Sequence, residues 1–588
     1  FLRVHWSRID EFGQGDVKLV WEPARFGFTF ALVRAYWRTG DPSWAELFWQ
    51  LVESWRETNP PQAGVHWHSG QEVALRVLAW CFGLYGFLDA PPTTDERLLM
   101  LAQMVAVSGR RLEATLTYGL SQQNNHSLSE AAGLWTIGLL FPELRWARRW
   151  VQRGQAILES QTRRLFYKDG AFAQHSCNYE RLALHDLIWA VRLGDVCGRP
   201  LATDLREMLA QAALLLYAMQ DEDTGRLPNY GQNDGALLLP LSNTDPRDFR
   251  PVVQTAHYLG LGTLCCPPGP WDEELLWLAG PEALQAFRQP FPRGDRLSAS
   301  GYHVLRDRHS FVFLRCGAYR HRPGQADMLH LDLWWQGQNI ALDPGTFGYH
   351  AGPPWDDIPL ARTGFHNTVT VDGCDQMRRV GRFLWLPWLQ GRFTHFRYRP
   401  TGAPAWWQGE HDGYRRLGVS YRRGVARLGG DVWVVLDALD DESGAVHVYR
   451  LHWLLADVPY EWDPAARRLL LHTPAGDYLV AWTQTETADE ASLMRADPAS
   501  PRGWQALCYG VRAPALSLAV VVRGARTRFV TLLAPPPATV SLRNGLIHVE
   551  TDDAQAVLTT LSGACGALVS HIELFGSQAE TLTVIPQV

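Results

Sequence analysis

Five consecutive residues, Gln122, Gln123, Asn124, Asn125 and His126, bring amide and imidazole groups to the threshold of an apolar stretch. Such side chains suit a helix N-terminus, where an Asn accepts from orphan backbone N–H groups. They equally suit a cleft that must grip a polar or anionic ligand. A second cluster, His175, Asn178, Tyr179, Arg181 and His185, enters another helical stretch. A phenol near cations can act as acid or base despite its high reference pKa, although a packing tyrosine with a satisfied hydroxyl is the simpler account. A third segment, GVHWHSGQEVALR, offers Trp67 as an aromatic face and sets Glu72 four residues before Arg76, the spacing of a helical ion pair. Farther on, His321, Gln325, His330, Asp343 and His366 are spread over strand-like segments, where oxygen and imidazole groups can meet at a divalent metal. The polar stretch GEHDGYRRL adds His411 and Arg415. There is no G-x-S-x-G elbow, P-loop or HExxH, which argues against serine hydrolases, nucleotide enzymes and zincins.

The elements that must position these groups change character along the chain. From residue 25 to about 284, apolar residues recur at three- and four-residue spacing and Gly or Pro ends each run, which predicts helices near 70–88, 95–117, 127–140, 142–165, 178–196, 202–219 and 247–260. Short connections make neighbouring helices antiparallel, a pattern that stacks as a solenoid or closes into a toroid. Proline and glycine gather at 265–271 and 288–296, and beyond them alternation takes over in FVFLRCGAYR, DVWVVLDALD, VHVYRLHWLL, LSLAVVVRG and RFVTLLAP. Many strands without intervening helices predict antiparallel sheets stacked as a sandwich. The fold class is therefore α + β and multidomain, with a helical domain over 1–290 and an antiparallel β domain over 291–588.

Composition bounds the function. With 588 residues, 46% hydrophobic and 20% charged, the chain is a globular protein of more than one domain. A net charge of −6 argues against nucleic acid, and no apolar run is long enough to span a membrane. Nine scattered cysteines without CxxC spacing indicate buried thiols rather than a disulfide framework. Lys18 and Lys168 are the only lysines, so the basic groups are almost all guanidinium forks, which match carboxylate and sulfate. The chain begins at Phe1 rather than Met, the start expected of a trimmed chain, and a cleaved leader would leave no trace in it.

Six motifs in order, DVKLVWEPAR (16–25), NPPQAGVHWHSGQEVALR (59–76), NNHSLSEAAGL (124–134), AQHSCNYERLALHD (173–186), LDPGTFGYH (342–350) and FHNTVTVDG (365–373), resemble the heparinase II/III family of polysaccharide lyases. The resemblance spans nearly the whole chain. It implies an (α/α) toroid followed by antiparallel β-sheets, an active site between them, and a secreted or periplasmic location. It also implies an anionic uronate polysaccharide as partner, with no nucleic acid and no membrane, and sets no oligomeric state. The implied reaction is β-elimination. Donors neutralise the uronate carboxylate, a base removes the C5 proton and an acid protonates the departing O4.

Carried over by motif, Asn125 resembles the carboxylate neutraliser, His126 a neighbouring base or donor, and Tyr179 the acid or both acid and base, with Gln123, Asn124, Trp67, Glu72, Arg76, His175, Arg181, His411 and Arg415 as substrate contacts. Many relatives carry His-x-His-x-Asp where this chain has PGQAD, so Pro323 and Gln325 replace the two histidines and His321 or His330 is expected as a substitute base. Gln325, Asp343 and His366 then form the implied structural metal site for Mn, Ca or Zn, the amide favouring a harder ion, and no organic cofactor is implied. With one histidine missing, a preference for glucuronate is expected, because its C5 proton and leaving oxygen share a face and one tyrosine can serve both. The competing readings are an alginate lyase, a uronate C5-epimerase, an (α/α) glycoside hydrolase built on carboxylates such as Glu72, Asp186 and Asp234, and a non-catalytic glycan-binding protein.

Overall fold

A computed structural model of the chain describes residues 4–10, 13, 15–399, 402–552, 554–561, 566–576 and 579–584. Among these, eleven α-helices precede the first strand: α1 (Lys18–Ala24), α2 (Phe28–Thr39), α3 (Ser43–Thr58), α4 (Gly70–Gly86), α5 (Asp95–Gln122), α6 (Asn125–Leu140), α7 (Ala147–Leu165), α8 (Cys177–Val196), α9 (Thr203–Met219), α10 (Arg250–Leu261) and α11 (Asp272–Ala279). Alternate helices play different parts. Helices α4, α6 and α8 are buried on nearly every face. Helices α5 and α7 bury a single stripe and present charge outward. Helix α6 touches both α4 and α8, and α8 touches α10, so the buried helices form an inner layer wrapped by the amphipathic ones. This is the layering of an (α/α) toroid.

The last helical element before the strands ends at Gln285, and the first strand starts at Tyr302. Two eight-stranded sheets follow. The first runs in the order 302–306, 310–315, 331–335, 338–341, 447–455, 516–524 and 488–495, with 369–371 paired onto 447–455. The second runs 460–463, 468–473, 476–484, 526–534, 432–441, 419–429, 405–411 and 391–398. The ladders of both sheets are antiparallel, as alternation without crossover helices requires. A five-stranded sheet from Ala538 to Thr583 packs its apolar face, including Ile547, Val549 and Ile572, against Trp406, Val434 and Leu532 of the second sheet.

The strand Ser310–Arg315 joins the two halves. Val312 and Leu314 point into the core between the two large sheets, with Trp433, Trp453 and Phe529. Phe311 and Phe313 point the other way, with Tyr302 and Trp334, into the core of the helical half. Alternation of side chains across a strand thus gives one strand to two cores.

Of the nine cysteines, Cys565 lies outside the described residues, and the remaining eight are free thiols, five of them buried. No helix among the described residues is long and apolar enough to cross a membrane.

Candidate active site

The inner helices α4, α6 and α8 begin at one place. Their first turns and the residues leading into them line a cavity of about 210 Å³, closed on the other side by Arg322, Pro323, Gly324, Tyr349 and Phe383 of the β half. The positive ends of the helices suit this wall to an anionic ligand. Local sequence explains each start. Asn124 caps α6, its Oδ1 accepting from the His126 N–H at 3.1 Å. Ser176 caps α8, its Oγ accepting from the Tyr179 N–H at 3.1 Å. Helix α4 opens on Gly70 because a Cβ there would come within 2.5 Å of the buried Glu130 carboxyl. Burial pushes that carboxyl up to about 8.

Around the cavity the polar groups are tied together. The Asn125 amide donates to Gln71 Oε1 at 2.8 Å, and Gln123, Asn124 and His126 line the same wall. Burial lowers the His126 imidazole to about 4, so it is neutral at ordinary pH. The Tyr179 hydroxyl lies 2.6 Å from that of Tyr349. Burial, and then the charge of Asp234, holds the Tyr179 phenol well above its ordinary value, so it carries its proton. Asp234 accepts from Asn178 at 3.2 Å and pairs with Lys18 at 3.0 Å. Burial opposes its ionisation, yet Lys18 and Arg25 hold it below the usual carboxylate range. Glu72 lies on the wall gripped by Arg25 through two 2.6 Å bonds, and there too the cation outweighs burial.

A second cluster lies in the β half. His330, Asp343 and His366 are fully buried and bring one donor atom each within 4.8 Å of one another. His330 Nε2 and both ring nitrogens of His366 have no hydrogen-bond partner among the described residues, and Asp343 lies 3.3 Å from His366 Nδ1. Orphaned imidazole nitrogens converging on a buried carboxylate fit a divalent cation that accepts imidazole ligands, as zinc does readily and manganese tolerates, better than calcium.

Residues 4–224 match the family model described as heparinase II/III N-terminus, and residues 290–552 match heparinase II/III-like, C-terminal. The chain belongs to the heparinase II/III family. Among curated family members it is 23% identical over 375 residues to a heparin-sulfate lyase of Bacteroides thetaiotaomicron, covering 60% of this chain and 51% of that protein. It is 27% identical over 377 residues to a heparin-sulfate lyase of Pedobacter heparinus, covering 61% and 52%. The chain thus spans about half the length of the curated relatives it matches. Among solved structures, heparinase III superposes with a TM-score of 0.70 at 16% identity over 95% of this chain and 82% of that one. A heparan sulfate lyase from Pedobacter heparinus gives 0.59 at 17% identity over 99% and 84%. The heparinase fold, a helical toroid followed by antiparallel sheets, is therefore the fold of this chain.

Within this heparinase II/III frame the cavity collects Glu72, Gln123, Asn124, Asn125, His126 and Tyr179 from the sequence candidates. The other candidates lie elsewhere, each for a local reason. Trp67 is buried, 5.9 Å from Trp55. Arg76 does not pair with Glu72; it donates to the Ala24 and His66 carbonyls and stacks on Trp55 at 4.3 Å. His175 is buried against Tyr167, Tyr302 and Tyr319. Arg181 braces Asn178 from behind, at 2.8 Å, and binds the Pro246 carbonyl. His411 is packed on Tyr414 and Tyr421, and Arg415 is exposed on a short turn beyond it. His321 is half-buried and absent from the cavity lining. His330, expected as a substitute base, sits instead in the His–Asp–His cluster. Gln325 lies beside that cluster, its amide donating to Asp327 at 2.7 Å and Asp343 at 3.5 Å.

The structure adds residues to the cavity that had not been singled out for it: Lys18, Arg25, Tyr118, Arg322 and Tyr349. Two signals for them were present. Lys18 is one of only two lysines, and Tyr349 is the penultimate residue of the LDPGTFGYH motif.

Proposed function

We propose that this chain is a polysaccharide lyase that cleaves a uronate-containing polysaccharide by β-elimination, with glycosaminoglycans as the substrate class. One observation carries the reading: Asn125, a neutral His126 and a protonated Tyr179 line one cavity at the positive ends of three helices. In this reading the uronate carboxylate lies against Asn125 and the helix N-termini. The neutral His126 accepts the C5 proton. As the C4–O4 bond breaks, its electron pair leaves with O4, and Tyr179 gives that oxygen its proton, leaving a C4–C5 double bond. Both groups then exchange protons with solvent to reset. The printed names of the relatives, heparin-sulfate and heparan sulfate lyases, make those polymers and unsulfated glucuronate polymers the first to test. The experiment is incubation with heparan sulfate, heparin, hyaluronan, chondroitin and alginate while following the near-ultraviolet absorbance of an unsaturated uronate. An absorbing product supports the lyase, and alginate alone would redirect the substrate class. Scrambling of C5 configuration without that chromophore would make the chain an epimerase and sink the reading.

The base assignment sets a pH dependence. His126 must be neutral to accept a proton, and its folded value is about 4. Turnover is therefore expected to hold as pH falls through 6.5, the ordinary histidine value, and to collapse only as it nears about 4. A rate profile with its acid limb centred near the ordinary value would assign the base to another group.

The His330–Asp343–His366 cluster would hold a divalent cation in a structural role, since none of its members lines the cavity. Such an ion would supply positive charge that ties the strand Leu331–Trp335 to the segments carrying Asp343 and His366. Chelation is expected to lower the melting temperature, and zinc or manganese to restore it where calcium does not. Equal melting curves with and without chelator would dismiss the ion.

A further inference from the structure

Three cationic side chains line the cavity, and two of them are already spent. Lys18 is paired with Asp234 and with Glu22, each at 3.0 Å. Arg25 is paired with Glu72 at 2.6 Å and with Glu22 at 2.8 Å. The third, Arg322, makes no hydrogen bond or ion pair with any of the described residues. It is half-buried on the loop between strands Ser310–Arg315 and Leu331–Trp335, so it reaches the cavity from the β half. Across the cavity it faces Tyr118, at the end of α5, and it acts electrostatically on both Tyr179 and His126. A half-buried guanidinium without a counter-ion costs desolvation that none of the described residues returns.

Elimination supplies the missing anion. Removing the C5 proton puts a second negative charge on the carboxylate, which becomes an enediolate. Asn125 can donate a hydrogen bond to it but carries no net charge, and His126 is neutral until the C5 proton has reached it. Lys18 and Arg25 are cancelled by their own carboxylates. The planar fork of an arginine matches two carboxylate oxygens at once.

We infer that Arg322 is the cation that grips the substrate carboxylate and offsets the charge developing on it, a catalytic residue contributed by the β half. This inference rests on the lyase reading above.

The test uses Arg322→Gln and Arg322→Lys in the full chain, with circular dichroism and melting curves to establish folding. Two readouts are independent. The first needs no substrate: with 13C-labelled histidine, the His126 titration is expected to move upward in Arg322→Gln, because a neighbouring positive charge has been removed, and to stay low in Arg322→Lys. An unmoved His126 would overturn the placement. The second is turnover on whichever uronate polymer the wild-type chain cleaves. Arg322→Gln is expected to lose about 10²-fold in kcat, the scale for removing a donor aimed at developing charge, and Arg322→Lys to recover part of it. Wild-type-like kcat in Arg322→Gln overturns the inference and leaves the lyase standing. A wild-type chain that eliminates no uronate polymer overturns the lyase and the catalytic role together, and the histidine titration then reports only where the charge sits.

Discussion

Tyr179→Phe is expected to lower kcat by about 10³-fold or more while the protein folds as before. The substitution removes one oxygen atom and nothing else. Tyr179 lies on α8 behind a Ser176 cap and is buried except where it meets the cavity, so the ring would stay where it is. Its hydroxyl touches Tyr349 at 2.6 Å and neighbours Asp234. Losing that contact costs about 1 kcal/mol of stability, since the partner hydroxyl keeps access to the cavity. The catalytic cost is larger because O4 would have to leave as an alkoxide, with no buried proton at hand. The measurement is kcat and KM on the cleaved polymer, beside a urea titration. A variant within threefold of wild type would show that the proton reaches O4 from another group. Loss confined to KM would make Tyr179 a binding residue only.

Asp437→Ala is expected to cost about 3–5 kcal/mol of stability, far more than a typical surface change. Asp437 and Arg423 are completely buried between the two large sheets and joined by bonds of 2.6 and 3.0 Å, with Tyr421 donating to the same carboxylate at 2.7 Å. Truncating the acid strands a guanidinium in the core. Arg423 also donates to the carbonyls of Leu329 and Asn367, at 2.6 Å each, the residues adjoining His330 and His366. The same variant is therefore expected to lose the response of the melting temperature to added zinc or manganese. Replacing both partners, Arg423→Met with Asp437→Leu, should cost less than Asp437→Ala alone, because no charge is left unpaired. A urea midpoint unchanged in Asp437→Ala would mean that water reaches this pair.

The amide stretch was legible because its composition fits so few environments. Five polar residues before an apolar run had to be a cap, a cleft wall or both, and Asn124 is the cap while Asn125 and His126 face the cavity. The strands at 432–441, 447–455, 516–524 and 526–534 fall where alternation placed them. What the sequence hid was pairing between distant residues. Glu72 and Arg76 satisfy the local spacing rule, but Arg25, 47 residues away in sequence, reaches Glu72 first with a two-pronged grip, and Arg76 turns to carbonyls and Trp55. Trp67 had the chemistry of a sugar platform, yet packing against Trp55 uses the same surface. Arg322 had no local signal at all: among so many arginines, only the absence of a partner distinguishes it, and partners are visible only in three dimensions. The missing histidine points to His321 or His330 as a substitute base, but in the fold His330 stands beside Asp343 and His366, at the end of the connection that also carries Gln325 and directly before the strand Leu331–Trp335.

The strand Ser310–Arg315, with one face in each core, has a mechanical meaning. A cleft assembled by two bodies on a hinge must spend part of its binding energy on closing. Here the two walls of the cavity are bolted to one shared beam, because swinging the toroid away would expose Phe311, Phe313 and their partners to water. The spacing between Arg322 and Tyr179 is thus set when the chain folds, before any polymer arrives. On the lyase reading, a polysaccharide would meet a slot of fixed gauge, and the ordering cost would be met once, during folding, rather than at each turnover.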